Sequence, residues 1–237
     1  MFRSRLIFSS ALLILAACEV TTLDVPDEPA RPLPNVTRSG WPQSPADFRA
    51  VVRRVEPAAE RICREMRPNL NCDYSIVVDE REDQPPNAFQ TLDKSGRPVI
   101  GFTKSLFGAM KNRDELAMAL SHEAAHHIEG HIPQAQSSAT TGALLATIVA
   151  SIAGLDAAGV ETAQNIGGTI GARRFSKGFE LEADALGARI AMRAGYDPLR
   201  GVLYFVDAPD PSDGFLASHP PNGDRIRVVQ RTVASAR

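Results

Sequence analysis

The chain has 237 residues, 43% apolar, 23% charged and 6% aromatic, with 26 basic against 28 acidic side chains and a formal net charge of −2. This length and apolar content suit one ordinary domain or two small ones with a buried core, and exclude a disordered chain. The balanced charge excludes a broad cationic surface, and with it an electrostatically driven nucleic-acid binder, and three cysteines are too few for a disulfide-built scaffold.

Residues 1–17 carry Arg3 and Arg5, then an apolar run from Leu6 to Leu15 broken by Ser9 and Ser10, then Ala16 and Ala17. That is the pattern of a cleaved secretory signal peptide, too short for a permanent transmembrane helix. Leu15-Ala16-Ala17-Cys18 looks like a bacterial lipobox, after which Cys18 would be lipidated and become the new N-terminus. A plain cleavage site followed by a chance cysteine is the alternative. Two or more acyl chains on one residue would anchor the chain stably to a membrane. Glu19 stands where an Asp would resemble an inner-membrane retention signal, so the expected location is the outer membrane, facing the periplasm. Loss of Arg3 and Arg5 leaves a mature net charge of −4. Cys63 and Cys72 would then share an oxidising compartment. A disulfide between them would stabilise by roughly 2.5 to 3 kcal/mol in the chain-entropy model, with two buried free thiols as the alternative.

Residues 18–43, with Pro26, Pro29, Pro32, Pro34 and Pro42, read as an extended tether behind which a domain spans 44–237. Ser44 and Pro45 open a helix in which Phe48, Val51, Val52, Val55, Ala59 and Ile62 recur at helical spacing, and Pro57 suggests a kink or a second start. Three short β-rich runs follow at 74–78, 88–92 and 98–102, the last two joined by Asp93-Lys94-Ser95-Gly96, which predicts a three-stranded sheet with a hairpin. Beyond Thr103 the pattern is helical. One helix is expected from the cap Asn112 to Gly130, where Pro133 limits continuation. An Ala/Gly/Ser/Thr-rich block occupies 136–172, a further helix 178–194, helical spacing returns at 199–206, and a last helix runs from Asn222.

The chemistry centres on His122-Glu123-Ala124-Ala125-His126. Helical residues four apart differ by about 40° in direction, so both imidazoles can face one ion, as two zinc ligands must. Glu123, about 100° further round, can reach a metal-bound water as general base. His127 and His131 are also four apart, but no glutamate follows His127 and Gly130 suggests the helix is ending there. Those two histidines are therefore expected in structural hydrogen bonds. A catalytic zinc normally takes three protein ligands. Glu180-Leu181-Glu182-Ala183-Asp184 can supply the third from Glu180, while Asp184, one turn on, orients a ligand histidine through its second ring nitrogen. Glu182 points to the opposite side, where it is expected to be solvated.

His122-Glu123-x-x-His126 paired with Glu180-x-x-Ala183-Asp184, followed by Ala194-Gly195-Tyr196-Asp197-Pro198, resembles the gluzincin metallopeptidase family that includes HtpX, the CAAX prenyl endopeptidase, and the periplasmic proteins BepA and LoiP. The resemblance extends to Asn87-Ala88-Phe89 and Ser218-His219-Pro220-Pro221, covering roughly 45–230. It implies an α+β, mainly helical, zincin-like domain holding one Zn2+ on His122, His126 and Glu180. Glu123 would be the catalytic base, Asp184 would support a ligand, and Asn87, Ala88 and Phe89 would form an edge strand for extended substrate. His219 would stabilise the oxyanion or occupy the metal's open position; a capping or loop histidine is the alternative.

Residues 139–155 are apolar, near the lower length limit for spanning a bilayer, and rich in small residues. They suit a tightly packed helical pair, with a plug over the cleft or a membrane- or partner-touching surface as alternatives. The expected function is a lipid-anchored zinc metalloendopeptidase acting on unfolded or misassembled envelope proteins, with outer-membrane protein assembly machinery a candidate partner. The competing reading is a latent, autoinhibited zinc-binding chaperone or assembly factor.

Overall fold

The computed structural model describes residues 32–33, 45–207 and 221–236. The expected signal peptide at 1–17, Cys18, almost all of the expected tether, and Ser218, His219 and Pro220 lie outside the described residues. The fold is α+β and mainly helical, with one small sheet.

Helix α1 (Pro45–Met66) buries Val51, Val55, Ala58, Ala59 and Ile62 on one face, as their spacing predicts. It is continuous through Pro57, without the second start that the sequence allowed. The carbonyl freed by that proline belongs to exposed Arg53, so water can satisfy it. Cys63 and Cys72 form a disulfide with a Cα–Cα separation of 5.8 Å, tying the end of α1 to the segment entering the sheet.

Strands β1 (Ser75–Asp79), β2 (Ala88–Leu92) and β3 (Pro98–Thr103) form a sheet of order β1-β3-β2. The hairpin pairs β2 antiparallel to β3, and β1 joins the other side of β3 in parallel. β3 is therefore the central, most buried strand, and β2 leaves one edge free of strands among the described residues. Phe102 on β3 meets Phe48 of α1 edge to face at 5.8 Å, which seats the sheet on the helical core.

After the short helix α2 (Lys104–Ala109), α3 (Arg113–Glu129) begins with a capping box. Asn112 Oδ1 accepts from the Glu115 N–H, while the buried Glu115 carboxylate accepts from the Lys111 N–H and the Asn112 side chain. Gly130, at φ 73° and ψ 35°, ends α3 in the left-handed conformation that glycine tolerates best. Pro133 does not limit the chain as expected. Helix α4 (His131–Ile152) starts directly after Gly130 and places Pro133 in its first turn, where an N–H would have no helical partner anyway.

Helix α5 (Ala157–Arg193) is a single helix of 37 residues, so the segment expected as a separate helix from 178 is its C-terminal half. Helices α4 and α5 form an antiparallel hairpin with backbones close enough that a Cβ on Gly167 would meet the Gly142 carbonyl oxygen at 2.4 Å. The small-residue block is thus a tightly packed pair. No described helix is long and apolar enough to cross a membrane. The short helices α6 (Pro198–Gly201) and α7 (Tyr204–Asp207) and the final α8 (Asn222–Ser235) complete the fold. The larger core lies between α1, β3, α3 and the C-terminal half of α5; a smaller one joins Ala188 and Ala191 of α5 to Val202 and to Ile226, Val229 and Val233 of α8.

Candidate metal centre

His122 and His126 lie on successive turns of α3, and Glu180 reaches them from α5. What lets the two helices meet is Gly187, two turns beyond Glu180 on the same face. A Cβ there would lie 3.0 Å from the His122 backbone nitrogen, tighter than ordinary packing. The three side chains converge: His122 Nε2 is 3.0 Å from His126 Nε2 and 3.5 Å from Glu180 Oε2, and His126 Nε2 is 3.4 Å from Glu180 Oε1. Ligand atoms about 2.0–2.1 Å from a tetrahedral ion stand about 3.3 Å apart, so this triangle has the dimensions of three corners of a zinc site. Among the described residues, these three are the group of His, Cys, Asp and Glu side chains able to hold a metal ion.

The charge arrangement favours a cation. Burial alone would push the His122 imidazole down, but hydrogen bonds to Asp184 and Glu180 override it and raise it well above the ordinary range. His126 is shifted down, chiefly by burial, which keeps its imidazole neutral and able to donate a lone pair. Asp184, fully buried, places Oδ1 2.9 Å from His122 Nδ1. This is the contact that directs the opposite nitrogen at a metal. Burial would raise the Asp184 carboxyl, but Arg225 and His122 outweigh it and hold the group below the usual carboxylate range.

Sequence reasoning missed Arg225. It donates to Asp184 in bidentate fashion, Nε to Oδ2 at 2.7 Å and Nη2 to Oδ1 at 2.8 Å, and its guanidinium lies 4.0 Å over the Phe205 ring. The available signal was its place in line with Val229 and Val233, an apolar face of α8 on which a cation is out of place. Glu182 is partly exposed, as its side of α5 predicts, but it also has a partner: its Oε2 lies 3.2 Å from His131 Nε2. The sequence put Glu182 on the far side of α5 correctly but could not show that α4 packs there. His127 and His131 are in structural hydrogen bonds, His127 Nε2 donating to the Asn71 carbonyl at 2.7 Å.

A cleft of about 390 Å³ opens on the triad and is lined by Glu123, Asn87 and Ala88 as well as the three candidate ligands. Phe89, by contrast, lies over Gly101 and takes no part in that lining. No residue of the 139–155 block lines the cleft, so no plug forms there among the described residues.

Residues 45–233 match the family model of peptidase family M48. Mitochondrial metalloendopeptidase OMA1 of Schizosaccharomyces pombe is 30% identical over 162 residues, which is 65% of this chain and 45% of that relative; the chain spans less than half of its length. The chain belongs to peptidase family M48. If Asp184 supports His122, Asp184→Asn will lower metal affinity by about 10- to 100-fold. Competition titration against a chromophoric chelator measures this, and wild-type affinity in the variant would contradict the role.

Proposed function

We propose that this M48 member is a zinc-dependent endopeptidase of the bacterial envelope, lipid-anchored through Cys18 to the periplasmic face of the outer membrane, that cleaves unfolded or misassembled proteins. The observation that carries the enzymatic part is the convergence of His122, His126 and Glu180 in a cleft that also presents Glu123. Two imidazoles and a carboxylate form a donor set that suits zinc. When bound, the metal would supply a Lewis acid that polarises the scissile carbonyl and lowers the pKa of water toward about 7. Glu123 then takes the proton from the attacking water and returns it to the leaving nitrogen. Asp184 and Arg225 hold His122 in place throughout.

Substrate would lie along β2. The Asn87 carbonyl accepts from the Thr103 N–H at 2.9 Å, so in the antiparallel alternation Phe89 and Thr91 also face β3, while Ala88 and Gln90 turn their N–H and C=O groups to the outer edge. An extended peptide can add to that edge through backbone hydrogen bonds, a mode tolerant of side-chain sequence that requires an unfolded segment. Beside the triad, Leu106, Met110, Met118, Tyr204 and Phe205 give the cleft an apolar wall suited to side chains that a folded substrate would bury. This supports unfolded or misassembled proteins as the substrate class, with outer-membrane protein assembly as the setting.

Three measurements test the proposal. Glu123→Gln in the chain from residue 19 onward is expected to keep stoichiometric zinc and lose casein cleavage by at least about 10²-fold. Persistent cleavage would refute the mechanism, and zinc without cleavage in either protein would favour the latent binder. Ala88→Pro removes one edge N–H at a position where proline is structurally tolerated, so kcat/KM on protein substrates should fall by about 2- to 12-fold, the worth of one neutral hydrogen bond. An unchanged value would remove β2 from substrate binding. Labelling cells with radioactive palmitate should mark the wild-type chain but not Cys18→Ser, with the label in the outer-membrane fraction; labelling of both would overturn the anchor.

A further inference from the structure

His122 has a carboxylate behind it, and His126 does not. The Nδ1 of His126 instead lies 2.8 Å from Nδ1 of His131, and Nε2 of His131 lies 3.2 Å from Oε2 of Glu182. His131 is 3% exposed and stacks on Phe179 with ring centroids 4.4 Å apart and planes 11° from parallel. Its orientation is thus fixed by packing as well as by hydrogen bonds. Glu182 and Phe179 both come from α5, within three residues of Glu180, and His131 is the first residue of α4.

One arrangement of protons satisfies this chain once His126 Nε2 faces a cation. The His126 Nδ1–H donates to the bare Nδ1 of His131, and the His131 Nε2–H donates to the Glu182 carboxylate. We propose that His131 and Glu182 are positioning residues that fix the tautomer and ring direction of His126, forming a second supporting arm beside the Asp184–Arg225 arm behind His122. The imidazole of His131 serves as a spacer, passing the orienting effect of a carboxylate to a ligand that the carboxylate itself does not touch. The proposal rests on reading His122, His126 and Glu180 as the metal site. It adds that the α3–α4 junction at Gly130 is part of that site: the left-handed turn returns the chain so that His131 faces a ligand one turn before it.

The test uses the full chain and two readouts that need no turnover: zinc affinity by competition with a chromophoric chelator, and the visible spectrum of the cobalt(II)-substituted protein. His131→Phe keeps an aromatic ring against Phe179 and removes the acceptor. Its zinc affinity is expected to fall about 10- to 100-fold with shifted cobalt bands, while its metal-free Tm stays at the metal-free wild-type value. His131→Asn, whose Oδ1 can stand where Nδ1 stood, should recover most of the affinity. Glu182→Gln, a change at a partly exposed site, should show a smaller loss in the same direction and keeps the proposal testable if His131→Phe fails to fold. Unchanged affinity and cobalt spectra in Glu182→Gln and in a folded His131→Phe would overturn the arm. So would equal losses in the Phe and Asn variants with a lowered metal-free Tm, which would reduce His131 to packing. Wild-type protein that bound no zinc would overturn the metal-site reading and the arm together, whereas tight wild-type binding with indifferent variants would overturn the arm alone.

Discussion

The close crossing of α3 and α5 is the constraint on which the site depends. Glu180, Asp184 and Gly187 repeat at intervals of four and three along α5, so they share one face. Gly187 removes the side chain that would hold the helices apart, and the two carboxylates on the same face then meet His122 and His126 without the backbone having to bend. A larger residue at 187 would separate the helices at His122, the point where the ligand geometry is set. The capping box at Asn112 and the left-handed Gly130 fix the two ends of α3, so its histidines are presented from an element whose length and rotation are both defined.

The charged groups around the triad are arranged as supports, and their worth lies in geometry more than in stability. A buried ion pair such as Asp184 with Arg225 gives back in attraction much of what desolvation costs, so it is weak evidence for a stable fold. It does define where the Asp184 carboxylate points, because both oxygens are engaged by one planar guanidinium. Arg225 in turn is carried by α8, which packs through Ile226, Val229 and Val233 onto α5 and Val202. The smaller core therefore seats the helix that brings Arg225 to Asp184 beside the candidate metal site.

Much of this site was legible in the sequence because helical periodicity is local. His122 with His126, and Glu180 with Asp184, are four-residue pairs whose shared faces follow from helix geometry alone. The strands and the Asn112 cap were visible because their signals are also local: β-rich runs bounded by turn residues, and a side chain three residues from its partner N–H. What escaped notice depends on contacts between distant segments. The parallel pairing of β1 with β3, the α4 packing that gives Glu182 its His131 partner, and the burial of Arg225 all depend on which element covers a given face. The continuity of α5 escaped for a different reason: Gly178 and the change in composition mimic a helix boundary, yet one glycine costs a helix only about 1 kcal/mol relative to alanine.

The proposed reading also requires that β2 be held at a fixed distance from α3. Tyr74, just before β1, donates its buried hydroxyl to the Ala124 carbonyl between the two histidines at 3.2 Å, and His127 of the same helix donates to Asn71 next to Cys72. The disulfide then ties that segment to α1, which itself packs against α3. At the far end of the sheet, Thr103 takes up both the N–H and the C=O of Asn87, fixing where β2 begins beside the cleft. The entry to the sheet is thus joined to α3, and the start of β2 is joined to β3. In the proposed binding mode these bonds fix where β2 starts while leaving its outer edge available to a peptide.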